Sequence, residues 1–103
     1  MISADFCKSH GFLTGFSFSG HSGYAESGED VVCSAVSSAV QLTINILDTL
    51  GFFPDVKVGD NVINCTLKKS CDDSSRILNT LKLHFESILE EFPETINITI
   101  SEV

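Results

Sequence analysis

Late in the chain, Leu78, Leu81, Phe85, Ile88 and Phe92 recur at intervals of three, four, three and four. That spacing puts them on one stripe of an α-helix and excludes a strand, whose side chains alternate with period two. Asp72, Asp73 or Ser74 can cap the start, and Pro93 lacks the N–H needed to continue the helix. A helix with one apolar stripe must bury it, so the rest of the chain has to supply a complementary apolar surface.

Period-two segments supply it. Ile96-Asn97-Ile98-Thr99-Ile100 alternates cleanly and predicts a strand with one buried face. Leu13 to Ser19 predicts another, with Phe16 and Phe18 on one face and Ser17 and Ser19 on the other. Ile2 to about Cys7 reads as a strand that Ser9-His10-Gly11 turns back onto Leu13–Ser19 as a hairpin. Asp55–Val58 and Val62–Leu67 form a second pair around Gly59-Asp60-Asn61. Between the pairs, Val36, Val40, Thr43, Leu47 and Leu50 predict a helix from about Asp30 to Leu50, capped near Ser27 or Asp30 and ended by Gly51. Its β-branched residues lower helix propensity, but burial of the stripe overrides that. The predicted fold class is α+β: a five-stranded, mostly antiparallel sheet with two helices packed on one face, in the order β-β-α-β-β-α-β. At 103 residues the expectation is a single domain over 1–103, since a second core would leave each part too small.

Charge and cysteine usage narrow the function. A net charge of −8 with six Lys and Arg argues against nucleic-acid binding, which needs cations for phosphate. It suits solubility first and a basic protein or peptide partner second. The opening residues Met1-Ile2-Ser3-Ala4-Asp5-Phe6 do not read as a signal peptide. Val31–Leu50 is interrupted by Ser34, Ser37, Ser38, Gln41, Asn45 and Asp48, too polar to span a bilayer. The expectation is a soluble cytoplasmic protein without membrane or nucleic-acid partners. Cys7, Cys33, Cys65 and Cys71 are then free thiols rather than disulfides. The chain has no C-x-x-C or H-x-x-x-H spacing, so neither a metal nor a cofactor is expected.

One segment carries chemistry. His21 follows the second strand, Cys33 falls near the start of the first helix, and a glycine-rich loop of about ten residues joins them. A thiolate is the reactive form of cysteine, and a helix N-terminus favours negative charge. Its backbone N–H groups also suit an oxyanion. Cys33 is expected in the first turn, with His21 folded back as general base and then acid. Asp30 either orients the imidazole or caps the helix. Ser37, four residues after Cys33, shares its helix face and either meets the site or bonds back to the Cys33 carbonyl. Gly20, Ser22, Gly23, Tyr24 and Gly28 form the candidate substrate flap, where the glycines allow close approach and Tyr24 packs on substrate. Ordinary turn formation explains the same glycines. A histidine and a cysteine twelve residues apart are weak evidence alone, since buried cysteines are usually inert. Cys7 and Cys65 read as strand residues, Cys71 as a residue before the second helix, His10 as a turn residue and His84 as a helix-surface residue.

The stretches Gly20-His21-Ser22-Gly23-Tyr24-Ala25 and Gly28-Glu29-Asp30-Val31-Val32-Cys33-Ser34-Ala35-Val36-Ser37 together resemble the bacterial ribosomal-processing cysteine protease family, Prp. Its members carry G-H-x-G-Y-A and then G-x-D-[IV]-[VI]-C-x-A-[VI]-S at this separation. The resemblance implies a homodimeric cysteine endopeptidase without a cofactor. Its substrate would be the short N-terminal extension of a large-subunit ribosomal protein of the L27 type, cut after an aromatic residue during ribosome assembly. It implies Cys33 as nucleophile, His21 as its partner, Asp30 as a supporting residue and the glycine-rich loop as a flap over bound peptide. Ser22 and Ser34 stand where the family often has alanine, a small change at both positions. The opening strand, with Cys7 and its Ser9-His10-Gly11 turn, is atypical in detail. Two other readings are a non-catalytic peptide-binding clamp or ribosome-assembly chaperone, and metal or redox sensing through Cys7, Cys65 and Cys71. Loss of function in Cys33→Ala separates the first from the enzyme, and bound metal or reversible oxidation would reveal the second.

Overall fold

The computed structural model describes residues 1–20 and 27–102, with 27–30 described by backbone alone. The element order is β1 (Ile2–Ser9), β2 (Phe12–Ser19), α1 (Ser27–Thr49), β3 (Pro54–Gly59), β4 (Val62–Leu67), α2 (Asp72–Glu91) and β5 (Ile96–Glu102). The five strands form one sheet in the order β3-β4-β2-β1-β5. Its pairings are antiparallel except that of β5, which runs parallel to β1 from Ile2↔Ile96 to Lys8↔Glu102. The sheet is therefore mixed, and mostly antiparallel as expected.

Local chemistry accounts for the turns. His10 and Gly11 link β1 to β2 with φ of 53° and 84°, the left-handed pair that a two-residue hairpin turn requires. Past the turn the register shifts: Cys7 faces Gly15 while Lys8 faces Leu13, leaving Thr14 as the extra residue of a β-bulge. The bulge reverses the in/out parity, so Leu13 joins Phe16 and Phe18 among the buried residues. The Leu13 N–H donates to Ser75 Oγ at 3.0 Å, fastening the start of β2 to α2.

Both helices end by recognisable means. Gly51, at φ 83°, donates to the Asp48 carbonyl at 3.1 Å, and Phe52 donates to that of Leu47 at 3.0 Å. This is a Schellman closure that uses the carbonyls α1 would leave unpaired. Leu50 lies beyond the last helical residue and is 59% exposed, so the packed stripe stops at Leu47 rather than Leu50. For α2 the N-cap is Cys71, one residue before the expected caps. Buried Ser74 completes a capping box by accepting the Cys71 N–H on its Oγ at 3.0 Å.

Val32, Val36, Val40, Thr43 and Leu47 form the buried stripe of α1. Val31–Thr49 is long and apolar enough to cross a membrane by length and composition, at mean hydropathy 1.4, but here its stripe belongs to the packed core beneath the sheet. Leu78, Leu81 and Phe85 of α2 are buried, with Ile88 and Phe92 packed at the margin. Phe6, Phe16, Phe18 and Phe85 make the centre, with ring centroids 5.0 Å apart for Phe18–Phe85 and 5.1 Å for Phe16–Phe18 in edge-on contacts.

Candidate active site

At the end of the sheet where β1 and β4 begin and β2 and β3 finish, α1 leaves a groove of about 250 Å³. Cys33, Val36, Ser37 and Val40 line it from α1. Ile2, Phe18 and Ile63 line it from the sheet, Gly20 from the end of β2, and Val58, Gly59 and Asn61 from the tip of the β3–β4 hairpin. None of these described side chains is charged, and the described lining is mainly apolar. Cys33 is half-buried and packs at the margin of the core.

Cys33 is the seventh residue of α1, close to two turns in, because the helix starts at Ser27 rather than near Asp30. The expectation that it lies in the first turn is corrected accordingly. The unpaired backbone N–H groups of a helix belong to its first turn, and the dipole effect falls off within that turn. The Cys33 amide, at the seventh helical position, is one that α-helical geometry pairs internally rather than one of the free first-turn amides. Gly28, expected in the flap, belongs to the first turn of α1 instead.

Gly20, Cys33 and Ser37 are thus brought to one groove. His21, Ser22, Gly23 and Tyr24 lie outside the described residues, as does the side chain of Asp30, whose backbone is helical. Ser37 is exposed. Thr43 donates its hydroxyl to the Ala39 carbonyl at 2.8 Å, and Thr80 and Ser87 likewise bond back one turn. No such bond from Ser37 to Cys33 occurs among the described residues.

The remaining thiols have different surroundings. Burial, and then the Asp5 carboxylate, push the Cys7 thiol up on β1. Cys65, buried on β4, is pushed up to about 11 by burial first and Asp55 second. Cys71 is drawn down, chiefly by hydrogen bonding from the Ser74 N–H and then the Ser74 hydroxyl. All four cysteines are free. His10 sits in the exposed hairpin turn and His84 on the exposed side of α2, beside a larger apolar groove of about 550 Å³ between the helices. That groove uses Ala35, Ala39, Leu42 and Ile46, a different face of α1 from Cys33.

Val58, Asn61 and Ile63 were legible in the sequence only as strand and turn residues. Nothing in their local pattern indicates that the hairpin tip meets α1 beside Cys33.

A half-buried thiol beside this groove on an α+β scaffold is compatible with thiol chemistry, and comparison with known proteins places the chain among the cysteine peptidases. The family model described as cysteine protease Prp matches residues 1–97, and the chain belongs to that family. Curated relatives are the ribosomal processing cysteine proteases Prp of Staphylococcus aureus, 27% identical over 95% of this chain and 97% of that one, and of Bacillus subtilis, 28% identical over 96% of each. Among solved structures, the essential ribosomal processing protease Prp from S. aureus in complex with a substrate peptide matches with TM-score 0.83 and 25% identity, covering 98% of this chain and 100% of that one. The same protease with a covalently linked product peptide matches with TM-score 0.84 at 25% identity, with the same coverage.

Proposed function

We propose that this cysteine protease removes the short N-terminal extension of an L27-type large-subunit ribosomal protein during ribosome assembly, with Cys33 as nucleophile and His21 as base and acid. The observation that carries this reading is the position of Cys33 in an apolar groove whose edge is Gly20, the residue directly bonded to His21. The S. aureus relative was solved with a substrate peptide and with a covalently linked product peptide.

In the proposed reaction His21 takes the Cys33 proton and the sulfur attacks the carbonyl carbon of the scissile amide. The tetrahedral oxyanion needs donors, and the Ser37 hydroxyl, one turn along on the groove wall, is a candidate on α1. Collapse breaks the C–N bond; the leaving amine takes the proton from the His21 imidazolium, and a thioester to Cys33 remains. Water, deprotonated by His21, attacks the thioester, which releases the carboxylic acid and returns the thiol. Asp30 supports His21 or the start of α1. Gly20, Ser22, Gly23 and Tyr24 act as the flap over bound peptide.

The net charge of −8 favours encounter with a basic ribosomal-protein segment. A homodimer in the cytoplasm, requiring no cofactor, completes the proposal.

The test is mass spectrometry of a peptide carrying the extension after incubation with wild type, Cys33→Ala and His21→Ala. A single cut after an aromatic residue, lost in both variants, is expected. Binding without any cut by the wild type would replace the protease with a peptide clamp, and cutting by Cys33→Ala would remove Cys33 as nucleophile.

A further inference from the structure

The two edges of the sheet are guarded differently. β3 starts at Pro54 and carries Asp55 and Lys57, devices that deter another strand from pairing. β5, at the other edge, has no proline, bulge or charged residue from Ile96 to Ser101. The Ile2 N–H donates to the Thr95 carbonyl at 3.0 Å, which fixes the phase of the parallel ladder. Thr95, Asn97 and Thr99 therefore direct their main-chain groups at β1, and Ile96, Ile98 and Ile100 direct theirs outward. Cover on the inner face also runs out along β5: Ile96 is buried, Ile98 half-buried and Ile100 52% exposed. Residues 21–26 do not reach this place. Seven links of at most about 3.8 Å between Gly20 and Ser27 keep each of them within about 13 Å of one anchor. A strand beside β5 at Ile100 lies three strand spacings across and three residues along from the Ser19–Ser3–Asn97 row, roughly 17 Å from the end of β2. Ser27 starts α1, which packs towards β3, away from β5.

We infer that the free edge of β5 is an exosite, where an extended basic segment of the substrate protein pairs as an added strand. Naming the substrate as the source of that segment rests on the protease reading. Charge selects the occupant. Asp5, Glu90, Glu91, Glu94 and Glu102 stand on or beside β5, with Lys8 as the one described base level with them. The Asp5 carboxylate accepts the Thr99 and Ser101 hydroxyls at 2.8 and 2.9 Å, and Lys82 is taken up by Glu86 at 2.7 Å. Glu90 and Glu91 close α2 with no basic residue in its last turn, so they oppose the helix dipole and would gain from a cation. A second copy of this chain would set these carboxylates against their own kind, whereas Lys and Arg neutralise them. An incoming strand covers Ile98 and Ile100 with apolar or β-branched residues on the inner face. Its alternate residues fall on the outer face, where Lys or Arg meets Asp5. Ile2 joins the two sites: it lines the groove of Cys33 and is level with Ile96, at the start of β5.

The probes are two labelled peptides, one alternating Val and Lys and the other Val and Glu, titrated by fluorescence anisotropy into the full chain carrying Cys33→Ala. The Val–Lys peptide is expected to bind at least about tenfold tighter, and to lose that margin in about 1 M salt. Ile100→Pro removes an outward N–H, a change that an edge strand tolerates. It should weaken the Val–Lys peptide about tenfold, the scale of one main-chain hydrogen bond, while Ile100→Val stays within about twofold. Should Ile100→Pro fail to fold, Ile100→Lys guards the same edge by charge and is expected to act in the same direction. Amide exchange should slow at Ile98 and Ile100 on binding. Equal affinities for the two peptides, or an Ile100→Pro protein that binds Val–Lys as before, overturns the inference. So does a concentration-dependent dimer abolished by Ile100→Pro, which would give the edge to a second copy. With Cys33 intact, Ile100→Pro should raise KM for the whole substrate protein about tenfold and leave cleavage of the short extension peptide unchanged. If both substrates are cut as by wild type, the exosite fails and the protease reading stands. If the Val–Lys peptide binds at the edge but neither substrate is cut by wild type, the strand site stands and the protease reading fails.

Discussion

The Gly20 N–H donates to the Asn61 carbonyl at 3.1 Å, fastening the end of β2 to the turn between β3 and β4. Both residues are left-handed, with φ of 84° and 58°, and a Cβ on Gly20 would stand 2.7 Å from the Met1 carbonyl oxygen. Gly20→Ala therefore combines backbone strain with a clash against main chain, and should cost about 1–3 kcal/mol in urea denaturation. Asn61→Gly keeps the left-handed turn available and should stay within about 0.5 kcal/mol of wild type. Because His21 follows Gly20 in the chain, Gly20→Ala should also lower peptide cleavage far more than Asn61→Gly does.

Ser37 offers a cleaner probe of the chemistry. It is exposed and makes no back-bond to the Cys33 carbonyl among the described residues, so Ser37→Ala should leave the melting temperature nearly unchanged. Loss of an oxyanion donor lowers kcat by roughly 10²–10³-fold where that donor is direct. A fall in kcat of at least about tenfold, with KM little altered, is expected in steady-state cleavage. An unchanged kcat would assign Ser37 to the helix surface alone.

Gly15 is demanded by packing rather than by a turn. It is buried beside the β-bulge, and a Cβ there would meet the Cys65 carbonyl oxygen at 2.3 Å, an atom of the neighbouring strand's backbone. Gly15→Ala must displace β4 from β2, at a cost of about 2–3 kcal/mol by the scale of overpacked cores. For a chain of this size that lowers the melting temperature by roughly 8–24 °C, which a thermal scan reads directly.

Thiol environments give a pH dependence. Cys65 titrates at about 11 in the folded protein against an ordinary 9.0, because burial, and then Asp55, disfavour its thiolate. Below pH 9 both folded and unfolded forms keep this proton, and the group leaves stability unaffected. From 9 towards 11 the unfolded chain ionises first and binds fewer protons, so stability should fall as pH rises through that window. Denaturation midpoints at pH 8 and 10.5, compared between wild type and Cys65→Ala, isolate the effect: the alanine variant should show the smaller change. At neutral pH, alkylation of the native protein should reach Cys71 before Cys7, and Cys65 last, by peptide mapping.

What the sequence determined is the local part of this protein. The stripe Leu78–Leu81–Phe85, the His10-Gly11 turn, the stop at Gly51 and the bounds Val62–Leu67 follow from period and from backbone freedom, properties of neighbouring residues. The paired motif stretches around His21 and Cys33 also stand in linear order and carry the family resemblance. Even local inference missed where long-range contact intervened. Thr14 is squeezed out as a bulge because β1 and β2 must stay paired while Leu13 turns inward. Cys33 sits close to two turns into α1, so the thiol lies beside the hairpin rather than among free helix amides. Tertiary structure alone decided that β5 runs parallel to β1, that β3 is an edge strand, and that Val58 and Asn61 reach the groove of Cys33. Those relations join residues tens of positions apart, and no one-dimensional period encodes them. They are set when burial of both helix stripes, and pairing of every inner strand, must be satisfied at once.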